Sequence, residues 1–273
     1  MKKKKLIILA VVLVFLSVFL YWQNNHLDVT EYEFSHPQID EKLTGYRIVQ
    51  ISDLHNKKFG KDNGKLLKEI KSCTPDMIVI TGDLVDSGHT DIQVALDFCK
   101  NAIEIAPVYY ITGNHENWLS DNKRTDLING MKALGVCVLE DMCIQVAYNG
   151  TYFNLIGLDD GSLRDNTLEN IMKDVNSDYF TLLLAHEPQY LEDYSNFDID
   201  LILSGHAHGG QIRLPFVGGL VAPDQGILPE YTSGEYVKGE TVMYVSRGLG
   251  NSVVPFRLFN FPEVVCVELV GGQ

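Results

Sequence analysis

Cysteine is scarce and unpaired in this sequence. Only five of the 273 residues are cysteines, an odd number without any CxxC spacing. A disulfide framework is therefore excluded as the basis of the fold. There is no internal repeat and no low-complexity tract beyond one run of lysines near the N-terminus. With 45% hydrophobic residues, the chain can form one large domain with a substantial core.

Positive charge is also scarce outside the N-terminus. The formal net charge is −14, and without Lys2 to Lys5 the remainder has 18 Lys and Arg against 36 Asp and Glu, a net charge of −18. Such a domain repels polyanions, and no basic stripe with interleaved aromatic residues is present. Nucleic acid is therefore excluded as the expected partner.

The N-terminus differs from the rest of the chain. After Lys2 to Lys5, residues Leu6 to Trp22 form a run of 17 residues without charge, which meets the lower limit for a spanning helix. A secretory signal peptide is similar, but a small-x-small cleavage site is missing and aromatic residues end the run. We expect residues 1–22 to be an uncleaved transmembrane anchor, with a signal peptide as the alternative. The lysines favour a cytoplasmic N-terminus, a single-pass cell-membrane location and a domain on the extracytoplasmic side.

The anchor is followed by an expected linker over residues 23–45 and a folded domain over residues 46–273. In that domain, apolar strand patterns alternate with helical patterns, which predicts βαβ units and a largely parallel sheet. The predicted strands lie near 46–52, 77–81 and 107–112, and the helices near 61–73, 90–103 and 123–134. The fold class is therefore mixed α/β.

Shorter elements are expected in the second half. Antiparallel-like strands are predicted near 136–139, 143–148 and 151–158, followed by a helix near 167–175 and strands that end at His186 and Ser204. We expect the last strands, near 211–213, 241–245 and 263–269, to contribute to a second sheet. Residues 214–237 are rich in Gly and Pro, and a loop of that length is expected to border a substrate pocket.

Five polar blocks each follow an apolar run that is typical of a buried strand. They are Asp53-Leu54-His55, Gly82-Asp83-Leu84-Val85-Asp86, Gly113-Asn114-His115-Glu116, His186 and Gly205-His206-Ala207-His208. In open α/β sheets, ligands bind at the carboxyl edge of the strands. Here that edge receives carboxylates, an amide and imidazoles, which are metal ligands.

The number of candidate ligands indicates two metal ions. The seven side chains are Asp53, His55, Asp83, Asn114, His186, His206 and His208. If Asp83 bridges, they supply four bonds to each of two ions, and two ions about 3.5–4 Å apart form the clamp for displacement at phosphorus. Mixed His, Asp and Asn ligation favours divalent or trivalent iron, manganese or zinc over calcium.

The blocks resemble the calcineurin-like metallophosphoesterase family. Three later motifs resemble its bacterial membrane-associated YkuE/YaeI-like branch: Gly-Gly-Gln-Ile-Arg-Leu-Pro after His208, Ser246-Arg247-Gly248-Leu249-Gly250 and Pro255-Phe256-Arg257-Leu258. The resemblance implies two packed β-sheets flanked by helices, a four-layer αββα sandwich. It also implies one metal held by Asp53, His55, Asp83 and His208, and another held by Asp83, Asn114, His186 and His206. His115 is then a catalytic donor to the transition state or the leaving oxygen, and a hydroxide that bridges the metals is the nucleophile.

We therefore expect a membrane-anchored dinuclear phosphoesterase that hydrolyses diester or monoester bonds of a small phosphoester or phospholipid-type substrate. Three alternatives stay open: a pyrophosphatase acting on a nucleotide-linked glycolipid, a protein phosphatase, and a binding module on an inactive scaffold. The sequence does not identify the substrate-binding residues, because loops determine substrate choice. Arg213, Arg247 and Arg257 could each bind phosphate or serve only a structural role.

Overall fold

Two six-stranded sheets organise the chain. The computed structural model describes residues 2–251 and 254–272. Its helices are α1 Lys2–Asn25, α2 Gly64–Ser72, α3 Ile92–Ala102, α4 Asn114–Asn117, α5 Asp121–Leu134, α6 Thr167–Met172 and α7 Leu191–Tyr194. Its strands are β1 Asp28–His36, β2 Arg47–Ile51, β3 Met77–Thr81, β4 Val108–Ile111, β5 Cys137–Val138, β6 Met142–Tyr148, β7 Thr151–Gly157, β8 Thr181–Leu184, β9 Leu201–Ser204, β10 Arg213–Leu214, β11 Gly218–Gly219, β12 Val221–Ala222, β13 Gly226–Ile227, β14 Gly234–Lys238, β15 Thr241–Val245 and β16 Glu263–Gly271.

Both sheets are mixed, with parallel strands at their centres. The first has the order β1-β16-β2-β3-β4-β5, and its strands β2 to β5 are parallel. The second has the order β14-β15-β9-β8-β7-β6, with β15, β9, β8 and β7 parallel. The predicted βαβ units are therefore confirmed.

The sheets pack face to face, and helices cover their outer faces. Ile48 and Val79 of the first sheet share one buried cluster with Leu182 and Leu203 of the second. Helices α2, α3 and α5 pack on the outer face of the first sheet, and α6 and α7 on that of the second. Because central strands are buried on both faces, they are continuous apolar runs in the sequence. The predicted four-layer αββα sandwich is confirmed.

Several strand predictions were wrong. Residues 263–269 form β16 inside the first sheet, antiparallel to β2, and not in the second sheet. Of residues 211–213, Arg213 lies in the two-stranded β10–β11 ribbon and Ile212 forms an isolated bridge with Leu258. Strand β5, within predicted strand 136–139, is parallel to β4. Strand pairing depends on partners far along the chain, and local periodicity does not reveal it.

Residues 23–45 differ from the expected linker. They contain β1, which pairs in parallel with β16 from Asp28↔Glu263 to His36↔Gly271. The end of α1 is also attached to the domain: the Gln23 side chain accepts a hydrogen bond of 2.6 Å from the Phe259 N–H. The segment is thus part of the folded domain.

Candidate dinuclear metal site

The carboxyl ends of the central strands of both sheets meet at one edge of the sandwich. Gln50 of β2 joins the sheets there, because its side-chain amide donates to the Ser204 carbonyl at the end of β9 (2.9 Å). All seven predicted ligands follow directly on these strands: Asp53 and His55 after β2, Asp83 after β3, Asn114 after β4, His186 after β8, and His206 and His208 after β9. The fold therefore brings together every residue of the predicted set.

A first cluster consists of four buried side chains, Asp53, His55, Asp83 and His208. The Nε2 atoms of His55 and His208 are 3.1 Å apart. Asp83 Oδ2 lies 3.5 Å from His55 Nε2, and Asp53 Oδ1 lies 3.6 Å from His208 Nε2. Two imidazole nitrogens and two carboxylate oxygens thus converge on one point.

A second cluster lies on the other side of Asp83. His206 Nδ1 is 2.9 Å from Asn114 Oδ1 and 3.1 Å from His186 Nε2, and His186 Nε2 is 3.1 Å from Asn114 Oδ1. Asp83 Oδ2 lies 3.4 Å from His186 Nε2. One carboxylate oxygen therefore faces both clusters.

These distances fit metal coordination. Ligand atoms at about 2.0–2.2 Å from one transition-metal ion lie about 3–3.5 Å from each other. A neutral imidazole carries one proton on its two nitrogens. Two ring nitrogens that face each other in a buried site are therefore well explained by a cation that both of them bind. The mixed nitrogen and oxygen donors suit transition metals.

Burial and neighbouring charges set the protonation of the clusters. Burial disfavours the charged form of His186, but Asp83 outweighs it and raises the pKa of that ring well above its ordinary value, so a metal would replace a proton there. At His208 and Asp83 the ligand forms are favoured. Burial, with His55 and Arg257 nearby, lowers the pKa of His208 well below its ordinary value, so the ring is neutral. Burial disfavours ionisation of Asp83, but the imidazoles of His186 and His55 outweigh it and hold the pKa of that carboxyl well below its usual range. A neutral imidazole and an ionised carboxylate are the forms that bind metals.

Backbone strain marks the same positions. Five of the seven predicted ligands have a positive φ, namely Asp53, His55, Asp83, His206 and His208. Non-glycine residues in this region cost free energy, and such residues cluster at functional sites. The strands therefore end in sharp turns that direct successive side chains into the site.

Two glycines permit the close approach of the turns. A Cβ at Gly113 would lie 2.3 Å from Asp83 Oδ1, and one at Gly205 would lie 2.6 Å from Asp53 Oδ2. Any side chain at these positions would displace a predicted ligand, so the glycines within the blocks are part of the site.

Residues behind the ligands fix their orientation. His186 Nδ1 donates to the Thr81 carbonyl (2.7 Å), which leaves Nε2 free for a metal. Glu116 is fully buried, and its carboxylate accepts hydrogen bonds from the backbone N–H groups of Asp83, Val85 and Gly113. Glu116, the last residue of its block, therefore supports the loops that carry Asp83 and Asn114.

Sequence reasoning missed Asp224. It lies in the turn of the β12–β13 hairpin, and its Oδ2 is 3.0 Å from His206 Nε2. The only signal was the expectation that residues 214–237 border the pocket, which is confirmed because Pro223 lines the cavity beside the clusters.

His115 lines that cavity, which has a volume of about 400 Å³. Its Nδ1 accepts a hydrogen bond from the Ser87 N–H (3.0 Å), so the proton of the neutral ring lies on Nε2. Its ring is 4.4 Å from that of His55, and Trp118 packs against it at 5.0 Å. His115 is thus placed beside the clusters with one nitrogen available as a donor.

The three arginines have structural partners. Arg257 is fully buried, and its side chain donates to the carbonyls of Gly250 and Arg247. Arg247 pairs with Asp28 and Glu263. The Arg213 guanidinium donates to the Gly209 carbonyl and to Thr232. The structural interpretation of these residues is therefore favoured over phosphate binding.

Comparison with known proteins gives the family. The sequence profile of the calcineurin-like phosphoesterases matches residues 46–210. The chain is 29% identical over 263 residues to the uncharacterized metallophosphoesterase YkuE of Bacillus subtilis (strain 168), covering 91% of this chain and 87% of that protein. It is 30% identical over 234 residues to the phosphodiesterase YaeI of Escherichia coli (strain K12), covering 82% of both chains.

A solved structure supports the fold. The protein TT1561 of Thermus thermophilus superposes with a TM-score of 0.52 at 12% identity, covering 76% of this chain and 91% of that one. The likeness concerns the arrangement of the sheets and helices.

Proposed function

Because this chain belongs to the calcineurin-like phosphoesterase family and is a metal-dependent phosphoesterase, we propose that it is a membrane-anchored enzyme that uses two metal ions to hydrolyse small or lipid-borne phosphoesters. The proposed ligands are the seven residues of the two clusters. The proposed metals are manganese, zinc or iron, which accept their mixture of imidazole, carboxylate and amide donors.

The position of Asp83 carries the two-metal proposal. Its Oδ2 lies within 3.5 Å of a donor nitrogen in each cluster, His55 Nε2 on one side and His186 Nε2 on the other. A carboxylate shared in this way holds two ions at the short separation used in dinuclear phosphoesterases.

The chemistry divides between the ions and the chain. When bound, the two ions would lower the pKa of a water molecule and neutralise the charge of the phosphoryl oxygens. The attacking water loses a proton as its oxygen adds to phosphorus, the P–O bond to the leaving group breaks, and the leaving oxygen takes up a proton, so one proton is released and one is consumed. We assign to His115 the hydrogen bond that stabilises the charge on the leaving oxygen; its Nε2–H is available because Nδ1 accepts from the Ser87 N–H.

Helix α1 supports membrane anchoring. It is the one helix in the described part of the chain that is long and apolar enough to cross a membrane. Its apolar side chains are exposed, for example Phe15 at 72%. We propose a single pass with the lysines on the cytoplasmic side and the catalytic domain on the extracytoplasmic side.

The proposed substrate is a small phosphoester or a phospholipid-type molecule. The acidic surface disfavours nucleic acid, and a cavity of about 400 Å³ accommodates a phosphorylated headgroup. The name of YaeI, a phosphodiesterase, favours testing diesters first. A diester and a monoester differ at phosphorus only in one substituent, so both bond types belong in the assay.

The direct test is hydrolysis by the full chain in detergent after loading with Mn²⁺, Zn²⁺ or Fe²⁺. Nitrophenyl diesters and monoesters, a nucleotide-diphosphate lipid and a phosphopeptide form the panel, and Asp83→Asn is the matched inactive control. We expect hydrolysis of at least one ester class by the parent alone. A metal-loaded parent that hydrolyses none of them would favour the inactive binding scaffold.

The anchor is tested separately in intact cells. N-terminal sequencing should find the segment before Asn24 still attached, and protease added outside should digest the catalytic domain. A mature chain that starts near Asn24 would mean secretion, and a domain protected from protease would mean inverted topology.

A further inference from the structure

The β10–β13 region presents large apolar side chains to solvent. From Leu214 to Pro229 the chain carries one charged residue, Asp224, which lies against His206. Phe216 is fully exposed, Ile227 is 81% exposed and Leu228 is 61% exposed. A soluble domain rarely exposes such side chains together, and apolar patches of this kind mark interaction sites.

These hairpins lie next to the point where α1 joins the domain. The Arg213 N–H at the start of β10 donates to the Leu258 carbonyl (3.0 Å). The next residue, Phe259, is 54% exposed and makes an edge-to-face contact with Phe19 of α1, with 6.0 Å between ring centroids. One backbone hydrogen bond and one ring contact therefore link the start of the hairpins to the exposed apolar helix.

The same hairpins reach the metal clusters. In the turn of the β12–β13 hairpin, Pro223 lines the cavity and Asp224 Oδ2 is 3.0 Å from His206 Nε2. Val221 and Ile227, which pair across this hairpin, are both exposed. One short element thus connects an apolar surface with the edge of the site.

We propose that Leu214, Phe216, Val217, Ile227, Leu228 and Phe259 form a membrane-contacting surface, here called the apolar rim. The occupant is a lipid bilayer, because Phe259 of the rim contacts an exposed apolar helix that is itself long enough to span one. Apolar side chains at a bilayer surface bury themselves among the headgroups and acyl chains.

This placement names the substrate class. The rim holds the cavity at the level of the lipid headgroups, so the substrate is a phosphoester carried by a membrane lipid and not a freely diffusing one. The substrate class rests on the proposed hydrolytic function, whereas the membrane contact of the rim does not.

Fluorescence quenching in vesicles tests the rim without reference to activity. The full chain is reconstituted in phosphatidylcholine and phosphatidylglycerol vesicles whose acyl chains carry bromine near the headgroup. Phe216→Trp is compared with Val237→Trp, which is placed at a residue of strand β14 that is 59% exposed. The emission of the parent, which has two tryptophans, is subtracted from each.

We expect bromine to quench the tryptophan added at position 216 several-fold more strongly than the one at 237. Equal quenching at the two positions would overturn the rim. If quenching at position 216 disappears when two copies of the chain associate, the surface binds protein and not lipid. That result would also overturn the rim.

The substrate class is tested by a ratio of rates. Phe216→Ser should lower hydrolysis of a vesicle-borne phosphoester several-fold relative to a water-soluble ester, whereas Val237→Ser should leave the ratio unchanged. An unchanged ratio in both variants contradicts the lipid-borne substrate. A parent without any hydrolysis contradicts the catalytic proposal, and the quenching experiment then decides the rim alone.

Discussion

Asp224 Oδ2 lies 3.0 Å from Nε2 of His206, on the opposite side of the ring from the nitrogen that faces His186 and Asn114. A carboxylate in this position orients a ligating imidazole and increases its basicity. The hairpin turn therefore contacts the second cluster through Asp224.

We expect Asp224→Asn to weaken binding of one of two metal ions by about tenfold, because contacts behind a ligating histidine typically change metal affinity by about 10–100-fold and this one is partly exposed. Competition titration with a chelating dye measures the affinity. Asp126→Asn, on the exposed face of α5, is the control. Equal affinities in parent and Asp224→Asn would remove Asp224 from the site.

Replacement of His115 separates metal binding from turnover. His115→Ala should keep both metals and lose turnover by about 10²–10⁴-fold, since a positioned donor to the leaving group contributes on that order. The loss should be larger for a poor leaving group, whose oxygen carries more negative charge in the transition state. His89→Ala is the control, because His89 also lines the cavity but its side chain is 97% exposed. Unchanged turnover of His115→Ala with all esters contradicts the assignment.

Glu116 stabilises the loops that carry the ligands. Glu116→Ala leaves the N–H groups of Asp83, Val85 and Gly113 without their acceptor. A buried polar group without its partner costs about 1–3 kcal/mol, so the free energy of unfolding should fall by roughly 3 kcal/mol or more. Urea denaturation in detergent measures it, with Glu169→Ala as the exposed control. A loss below about 1 kcal/mol would contradict this role.

Asp159 predicts a pH dependence of stability. Burial, opposed by Arg124 and reinforced by Asp141, raises the pKa of Asp159 to about 6 from 3.8. The folded state therefore binds the proton more tightly, and the stability gained from it is complete below about pH 4 and lost as pH rises through about 6.

Asp159→Asn keeps a neutral side chain at every pH. The free energy of unfolding of the parent relative to this variant should fall by on the order of 2 kcal/mol between about pH 4 and pH 6. Parallel denaturation series at several pH values measure the difference. A constant or rising difference would mean that Arg124, 2.9 Å from Asp159, controls the ionisation instead.

The local part of the fold could be predicted from the sequence. Strands β2, β3, β4, β8 and β9 are apolar runs that end in polar blocks, and parallel strands bring such blocks to one edge. This pattern gave the positions of Asp53, Asp83 and Asn114 before any geometry was known.

Long-range pairing could not be predicted in the same way. Strand β16 is as apolar as a central strand of either sheet, and its place between β1 and β2 depends on residues far earlier in the chain. Strand β1 is rich in polar and charged residues and only one of its side chains is buried, so it resembles a linker until β16 is available to pair with it.

The contacts behind the ligands were only partly predictable. Glu116 lies next to a predicted site residue, whereas Asp224 comes from a turn whose conformation has no periodic signal. Arg257 shows the reverse case, because a residue type suited to phosphate instead donates to buried backbone carbonyls.

The central claim is that Asp83 holds two metal ions in one site, and the most direct measurement is metal content at saturation. The full chain in detergent is loaded with Mn²⁺ or Zn²⁺, freed of excess metal and analysed by mass spectrometry for metal per chain. Asp83→Asn is compared with Asp126→Asn, a carboxylate on the exposed face of α5. We predict two ions per chain in the parent and in Asp126→Asn, and loss of tight binding of both in Asp83→Asn. One ion or none in the parent, or two ions retained in Asp83→Asn, would contradict the account.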